Sequence, residues 1–561
     1  MAQGSLYRLH DATVAEPLVN RWVAWSHLIS PVPYGLHMRH YQIGVLQSYL
    51  EDPLVHVAAC ENAKLRSGRF VDIPAARAGE VRELLDGILV GQTASLEFAR
   101  EVMEFQKYLV REARGQSLDP FYAKMPEALR GYAELVYDYH HRPSVRFIES
   151  MLYESPYYDE DLQSLRIFRQ KHDDGRPFFM STPRLRSPDQ LDWQVPFADA
   201  ALDEFFRLES RPQPLGYVRE LLGLSPADDA RLLPLLTTEP PTPREEWAGP
   251  GPRVRYFGHA CVLVEWRGVS VLTDAFLAVT PLAGGVERLT YADLPERIDY
   301  ALVTHNHQDH FNLEALLRLR HKIGCVVVPR SYGALYGDTS LKLMCRKLGF
   351  SNVVELDTLE SIELPGGEII AAPFMGEHAD LMHGKAAFVV RVGEEQMLFG
   401  ADSDSLDPRV YENIRRTLGP IQTVFIGMEC VGAPLSWSCG PLFPAPPDFD
   451  FEHTRRYKGC DATRAQEIVE AVGAGRTFVY AMGLEPWLEY LLGLALEEDS
   501  PQIQEARKYL REARRQGFAQ AELLFGKAEI LFDESAEEEL LPAAAAAQAA
   551  AGGEEDFFHF D

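Results

Sequence analysis

The chain has little of what marks secreted, membrane or nucleic-acid-binding proteins. Its seven cysteines, at 60, 261, 325, 345, 430, 439 and 460, are odd in number and scattered, with no CxxC pair. That spacing excludes a disulfide framework or zinc ribbon and fits reduced thiols in a cytoplasmic protein. No run of about 18 uncharged apolar residues occurs, so no membrane span is expected. Bases are scarce: 55 Lys and Arg stand against 83 Asp and Glu, a formal charge of −28. Such a surface argues against nucleic acid or an anionic membrane as the main partner, but leaves room for an acidic protein that meets a local basic patch. The stretch MAQGSLYRLHDATVAEP lacks a basic run followed by an apolar one, so no signal peptide is expected. No internal repeat of fixed period is found.

What is present is ordinary globular composition over 561 residues, 46% hydrophobic and 25% charged. That length predicts two folded domains, or one large domain with an extension. The Pro-, Gly- and charge-rich stretch LLTTEPPTPREEWAGPGPR marks a boundary. The division expected is a mixed α/β N-terminal domain over 1–236, a linker over 237–252, a second domain over 253–532 and an acidic, low-complexity tail over 533–561. In the first domain, amphipathic periodicity predicts helices over 79–92, 96–113 and 126–153, with strand-like runs at SGRFVDIP and RPFFMSTP. After the linker, RVRYFGHACVLVEWRGVSVLTDAF reads as strand, turn, strand, with a hairpin turn at EWRGV.

The chemistry gathers in LVTHNHQDHFN, residues 302–312, where His305, His307, Asp309 and His310 fall within six positions. YALVT before it reads as a short buried strand and the periodicity after Phe311 as a helix. The cluster therefore sits at the carboxyl end of a strand, where α/β folds place their sites. His305 and His307 can share one metal, while Asp309 and His310 face a second. Imidazole and carboxylate together suit zinc, iron or manganese.

HxHxDH in this setting resembles the signature of the metallo-β-lactamase superfamily, which implies an αββα sandwich with a dinuclear metal site. YFGHACVLVEWRGVSVLTDAF is similar to the superfamily's opening hairpin, ending in Asp274, and EQMLFGADSD to the strand ending in a bridging aspartate, here Asp402. The departures are informative. Where hydrolases of the superfamily place another histidine, AAPFMGEHADLMHGKAAFVV offers Glu377 and His378 side by side, of which one reaches the metal. Where they place a late histidine, the candidates are His453, Glu429, Glu485, the Cys430 thiol or water. Carboxylate in place of imidazole makes the site harder and favours iron or manganese over zinc, which has no redox chemistry.

GEHADL, GMECVGAPLSW and YAMGLEPW, with the large N-terminal domain, resemble the di-iron aminoacyl β-hydroxylases of nonribosomal peptide assembly. The resemblance implies a dioxygen-dependent monooxygenase with two iron ions. Glu377 would bind one iron with His305 and His307, Asp309 and His310 would bind the other, and Asp402 would bridge. Glu377 and Asp309 would take part in catalysis, Glu377 as a labile ligand that gates oxygen. The implied partners are a carrier domain bearing an aminoacyl-phosphopantetheine and an external electron donor, with a homodimer as a further expectation. The N-terminal domain would serve dimerisation or carrier docking, with RSPDQLDWQ and the basic pair in RIFRQKH as candidate contact patches.

A zinc hydrolase on the same fold is the alternative, and the missing histidines count against it. His259 is read as a packed strand histidine, with a supporting role behind the metal ligands as the alternative, and His140 and His141 are expected to lie on a helix without a metal role. The N-terminal helices show no repeated ExxH of the ferritin type, so no second di-iron site is expected there.

Overall fold

The computed structural model describes residues 5–331, 336–376 and 384–532. Two seven-stranded mixed sheets form its centre. In the first, the strands run in the order Val353–Leu356, Ile323–Pro329, Ile298–Leu302, Val269–Thr273, Cys261–Trp266, Arg253–Gly258 and Ala528–Leu531. The expected hairpin is present: Cys261–Trp266 and Val269–Thr273 pair antiparallel across Arg267 and Gly268, both at positive φ (48° and 79°), as a two-residue turn of the primed type requires. The second sheet runs Ser361–Leu364, Gly367–Ala372, Ala387–Val392, Glu395–Phe399, Thr423–Gly427, Arg476–Tyr480 and Gln520–Leu523.

The layering follows from the two-residue period of strands. In Thr423–Gly427, Phe425 faces the first sheet and joins Phe399 and Phe478 in a stack with centroids 4.8 and 4.9 Å apart. Its neighbours Val424 and Ile426 face the other way, onto helices Arg409–Leu418, Ala462–Val472 and Pro501–Arg515. Helix, sheet, sheet and helix thus make the αββα sandwich.

The outer face of the first sheet is covered by the N-terminal half. A four-stranded antiparallel sheet, Trp22–Val23, Thr13–Val19, Gln163–Arg169 and Leu191–Gln194, contributes Leu18, Leu165 and Ile167 to one core with Leu263, Leu272 and Leu316 of the C-terminal half. Helix Leu313–Leu319, which follows the histidine cluster, is buried at every position. A helix buried all round must pair its charges, and it does. Glu314 meets Arg176 at 2.6 Å, and Arg318 donates to the Thr13 carbonyl at 2.8 Å.

The N-terminal helices Ala78–Gly91 and Thr93–Glu112 fall where periodicity placed them. The predicted helix over 126–153 is instead a 3-10 turn, a hairpin of Ala133–Tyr137 with Pro143–Phe147, and a helical turn at Glu149–Leu152. Pro143 opposes a continuous helix, Val136, Tyr137, Val145 and Phe147 favour the pleated surface, and His140 and His141 lie in the hairpin's turn. SGRFVDIP and RPFFMSTP form no strand; Phe179 of the latter donates its amide to the Tyr490 carbonyl of the other half. The basic pair of RIFRQKH is on a buried strand, where Arg166 donates to the Arg184 and Leu185 carbonyls and is not free to meet a partner.

Candidate metal centre

Strand Ile298–Leu302 ends at the centre, and Asn312 closes the loop by capping helix Leu313–Leu319 through the Ala315 amide. Between them the chain presents His305, His307, Asp309 and His310, with His305 and His310 wholly buried. Asp274, at the end of strand Val269–Thr273, organises this loop from below. Its carboxylate accepts the Thr304 amide at 2.7 Å, the Thr304 hydroxyl at 2.7 Å and His310 Nδ1 at 2.9 Å. Thr304 Oγ1 in turn lies 3.0 Å from His305 Nδ1. Both imidazoles are therefore held by their Nδ1 atoms, which aims their Nε2 atoms at Asp402, 3.6 Å from His305 and 3.0 Å from His310. Fixing one ring nitrogen to prepare the other is the usual outer support of a metal-binding histidine.

Two donor sets result. His305, His307 and Asp402 form one, and His259, Asp309 and His310 the other, each with ligand atoms within 4.8 Å of one another. His259 corrects the expectation of a packed strand histidine. It occupies the turn after Gly258 at φ 51°, its carbonyl is held by the Ala481 amide, and its Nε2 lies 3.2 Å from Asp309 Oδ2. Asp274, Ala401 and Ala481 also have positive φ, at 34°, 46° and 51°. Four non-glycine residues in this costly region crowd around one site, as in functional centres whose surroundings over-determine the backbone.

The electrostatics call for cations. Burial, then the Asp402 and Asp309 carboxylates, push Glu429 well above the ordinary carboxylate range. Burial would depress His310, but Asp402, Asp309 and Asp274 outweigh it and hold the imidazole well above its ordinary value. Burial would likewise raise Asp309, yet the His310 charge and the His259 hydrogen bond keep it low. Buried carboxylates and imidazoles converging in this way are short of positive charge. A pair of metal ions fits the donor set, in which oxygen and nitrogen ligands suit iron.

A cavity of about 340 Å³ opens over the cluster, with His307, Asp309 and Glu429 in its wall. Among the late-ligand candidates, Glu429 is thus the one that shares the cavity wall with His307 and Asp309. His453 stacks on Phe449 at 3.7 Å on an exposed helix. Glu485 is taken by the Tyr256 hydroxyl at 2.5 Å and the Gly526 amide. Cys430, next to Glu429 in the chain, is not among the residues that line the cavity. Glu377 and His378 lie outside the described residues. Sequence reasoning missed Tyr457, whose ring stands edge-on to His307 at 4.9 Å, and gave His259 a supporting role only as its second reading.

Fold and site together define a metallo-β-lactamase-fold enzyme equipped for two metal ions. The family model of the di-iron non-haem β-hydroxylase N-terminal domain matches residues 8–240, and that of the β-lactamase superfamily domain matches 253–389. The chain belongs to the di-iron non-haem β-hydroxylases, enzymes that use two iron ions and dioxygen. It is 37% identical over 526 residues to the 4-amino-L-phenylalanyl-[CmlP-peptidyl-carrier-protein] 3-hydroxylase of Streptomyces venezuelae, spanning 91% of this chain and 97% of that one. The crystal structure of CmlA, a di-iron β-hydroxylase from Streptomyces venezuelae, matches with a TM-score of 0.87 at 35% identity, covering 94% of this chain and 100% of that one. A metal-dependent hydrolase of Methanopyrus kandleri is 32% identical over only 123 residues, 22% of this chain and 46% of its own length, so the hydrolase reading is the weaker. Among the described residues no helix is long and apolar enough to cross a membrane.

Proposed function

We propose that this enzyme hydroxylates the β-carbon of an amino acid held as a thioester on the carrier domain of a nonribosomal peptide synthetase, in natural-product biosynthesis. The observation that carries the reading is the pair of donor sets meeting at Asp402 beneath a cavity open to a tethered substrate. The Streptomyces relative, a hydroxylase of an aminoacyl group on a peptidyl carrier protein, supports the same substrate class. An external electron donor, a homodimer and a cytoplasmic location complete the proposal; seven cysteines outside any disulfide favour the last. In this reading residues 1–236 form the carrier-docking or dimerisation domain, 237–252 the linker, 253–532 the catalytic domain and 533–561 an acidic tail.

In the proposed site, His305, His307 and Glu377 would hold one iron and Asp309, His310 and Glu429 the other, with Asp402 shared between the two sets. When bound, the iron pair supplies the electrons and the open coordination that activate dioxygen. The chain's own residues do the rest. Asp274 and Thr304 lock the two imidazoles, and His259 steadies Asp309 from behind. Ala433, Pro434, Trp437 and Leu492 give the cavity an apolar wall that holds the substrate's β-carbon and keeps bulk water out. Glu377 serves as the gate. Glu377→His should leave a stable metal site with little oxygen reactivity, and full hydroxylation by that variant would sink the gating role.

Elemental analysis and a visible spectrum of protein made without added metal should give about two irons per chain, with oxo-bridged ferric absorption. Amino acids loaded on a carrier domain should then gain one oxygen atom by mass. Two zincs, no colour after growth in iron-rich medium and no mass gain would refute the proposal.

A further inference from the structure

The cavity above the metal cluster is lopsided in charge. Asp309 and Glu429 stand at its floor, and among the described lining residues Arg456 is the only arginine or lysine. It belongs to the run Arg455-Arg456-Tyr457-Lys458, three bases in four residues of a chain whose formal charge is −28. Extended backbone carries this run from floor to rim. Tyr457 meets the metal-cluster His307, while Arg456 is partly exposed near Val431 and Leu494, lining residues that are 47% and 44% exposed.

Arg456 is held in place. A bridge between Pro434 and Arg456 fixes its backbone, and its Nε donates to the Gly432 carbonyl at 2.8 Å. The two terminal nitrogens make no hydrogen bond or ion pair among the described residues. A guanidinium oriented by one nitrogen and left open on the others is a fork for an anion, since its planar donors match phosphate or carboxylate two at a time.

An aminoacyl-phosphopantetheine arm has neutral amides, a neutral thioester and a cationic amine. Its one obligate anion is the phosphodiester that joins it to the carrier. We propose that Arg456 receives that phosphodiester and so seats the tethered substrate in the channel. The inference rests on the carrier-bound reading given above and adds a specific receptor to it.

The test is calorimetric titration of iron-loaded wild type, R456Q and R456K with a carrier domain bearing a phenylalanyl arm made non-hydrolysable as an amide. Charge-assisted contacts predict that R456Q binds roughly 10- to 100-fold more weakly, with R456K recovering part of the loss. Phenylalanyl-pantetheine, which lacks the phosphate, should bind wild type and R456Q alike. Unchanged melting temperature and iron content establish that the variants fold. Equal carrier affinity in wild type and R456Q would overturn the assignment while leaving the functional reading intact. A deficit confined to carriers loaded with aspartyl groups would transfer the anion to the substrate side chain and also overturn it. Failure of wild type to bind any loaded carrier would remove the functional reading itself.

Discussion

Asp274→Asn tests whether the metal centre is built from below. The wild-type carboxylate accepts three hydrogen bonds, from the Thr304 amide, the Thr304 hydroxyl and His310 Nδ1. Asparagine keeps the shape and can still accept the amide. Thr304 can turn its hydroxyl to accept from the new NH2, but His310 Nδ1–H then faces a donor. The ring must either leave that proton unmet or move it to Nε2, the atom aimed at Asp402. A lost bond to a charged acceptor is worth about 1.5–3 kcal/mol, and loss of such outer supports costs about 10- to 100-fold in metal affinity. The expected result is selective loss of the second iron, from about two per chain to about one, on dialysis against a graded chelator. The Thr304 link to His305 should keep the first iron in place. Wild-type retention of both irons across the chelator series would refute the reasoning.

Gly427→Ala should disturb the same centre from the opposite sheet, because a Cβ there would lie 2.7 Å from the Ala401 carbonyl and 3.2 Å from Asp402 Oδ1. A melting-point drop equivalent to about 1–3 kcal/mol, together with reduced iron content, is expected; unchanged iron binding would count against Asp402 as the bridge. Glu429→Gln should weaken iron binding about tenfold or more, read by the same chelator series, and wild-type affinity would return the late ligand to water. Phe425→Ala removes the middle of the aromatic stack between the sheets and should cost about 3–5 kcal/mol in chemical denaturation. Glu149 gives a pH dependence: burial raises its carboxyl from 4.5 to about 7, so the folded chain keeps a proton that the unfolded chain releases. Its contribution to stability is full below pH 4.5 and is lost as pH rises toward 7. Glu149→Gln should flatten that part of the stability profile, and an unchanged slope would dismiss the group.

The legible parts were those whose meaning is local. HNHQDH announces itself because four donors share one strand-to-helix turn, and Asp402 because it ends an apolar strand. The EWRGV turn was legible through its glycine. His259 was legible only as one of two readings, because its proximity to Asp309 spans fifty positions and depends on how two strands lie side by side. Glu429 could not be separated from Glu485 or His453 in the sequence, since only burial and the company of other carboxylates distinguish them. Residues 126–153 misled because their apolar spacing suits a helix as well as a hairpin, and the choice is made by packing against Phe98 and its neighbours in a separate core. RPFFMSTP reads as a strand, yet its Phe179 amide serves the Tyr490 carbonyl in the short helix Glu489–Leu492 of the other half, which no local pattern announces.

Ser26, far upstream of the boundary, donates its hydroxyl to the Asn306 carbonyl at 2.8 Å, between two histidines of the metal loop. Ser67 stands in the cavity wall and its carbonyl accepts from the Trp437 indole at 3.1 Å. The N-terminal half is thus stitched into the catalytic floor and wall. Chimeras made by cutting at the proline-rich boundary and exchanging halves between homologues would part Ser26 from Asn306 and leave a seam of mismatched leucines along helix Leu313–Leu319. A lineage built this way evolves as one piece, and the engineer who wants to retarget it must recombine along the cavity rather than across the linker.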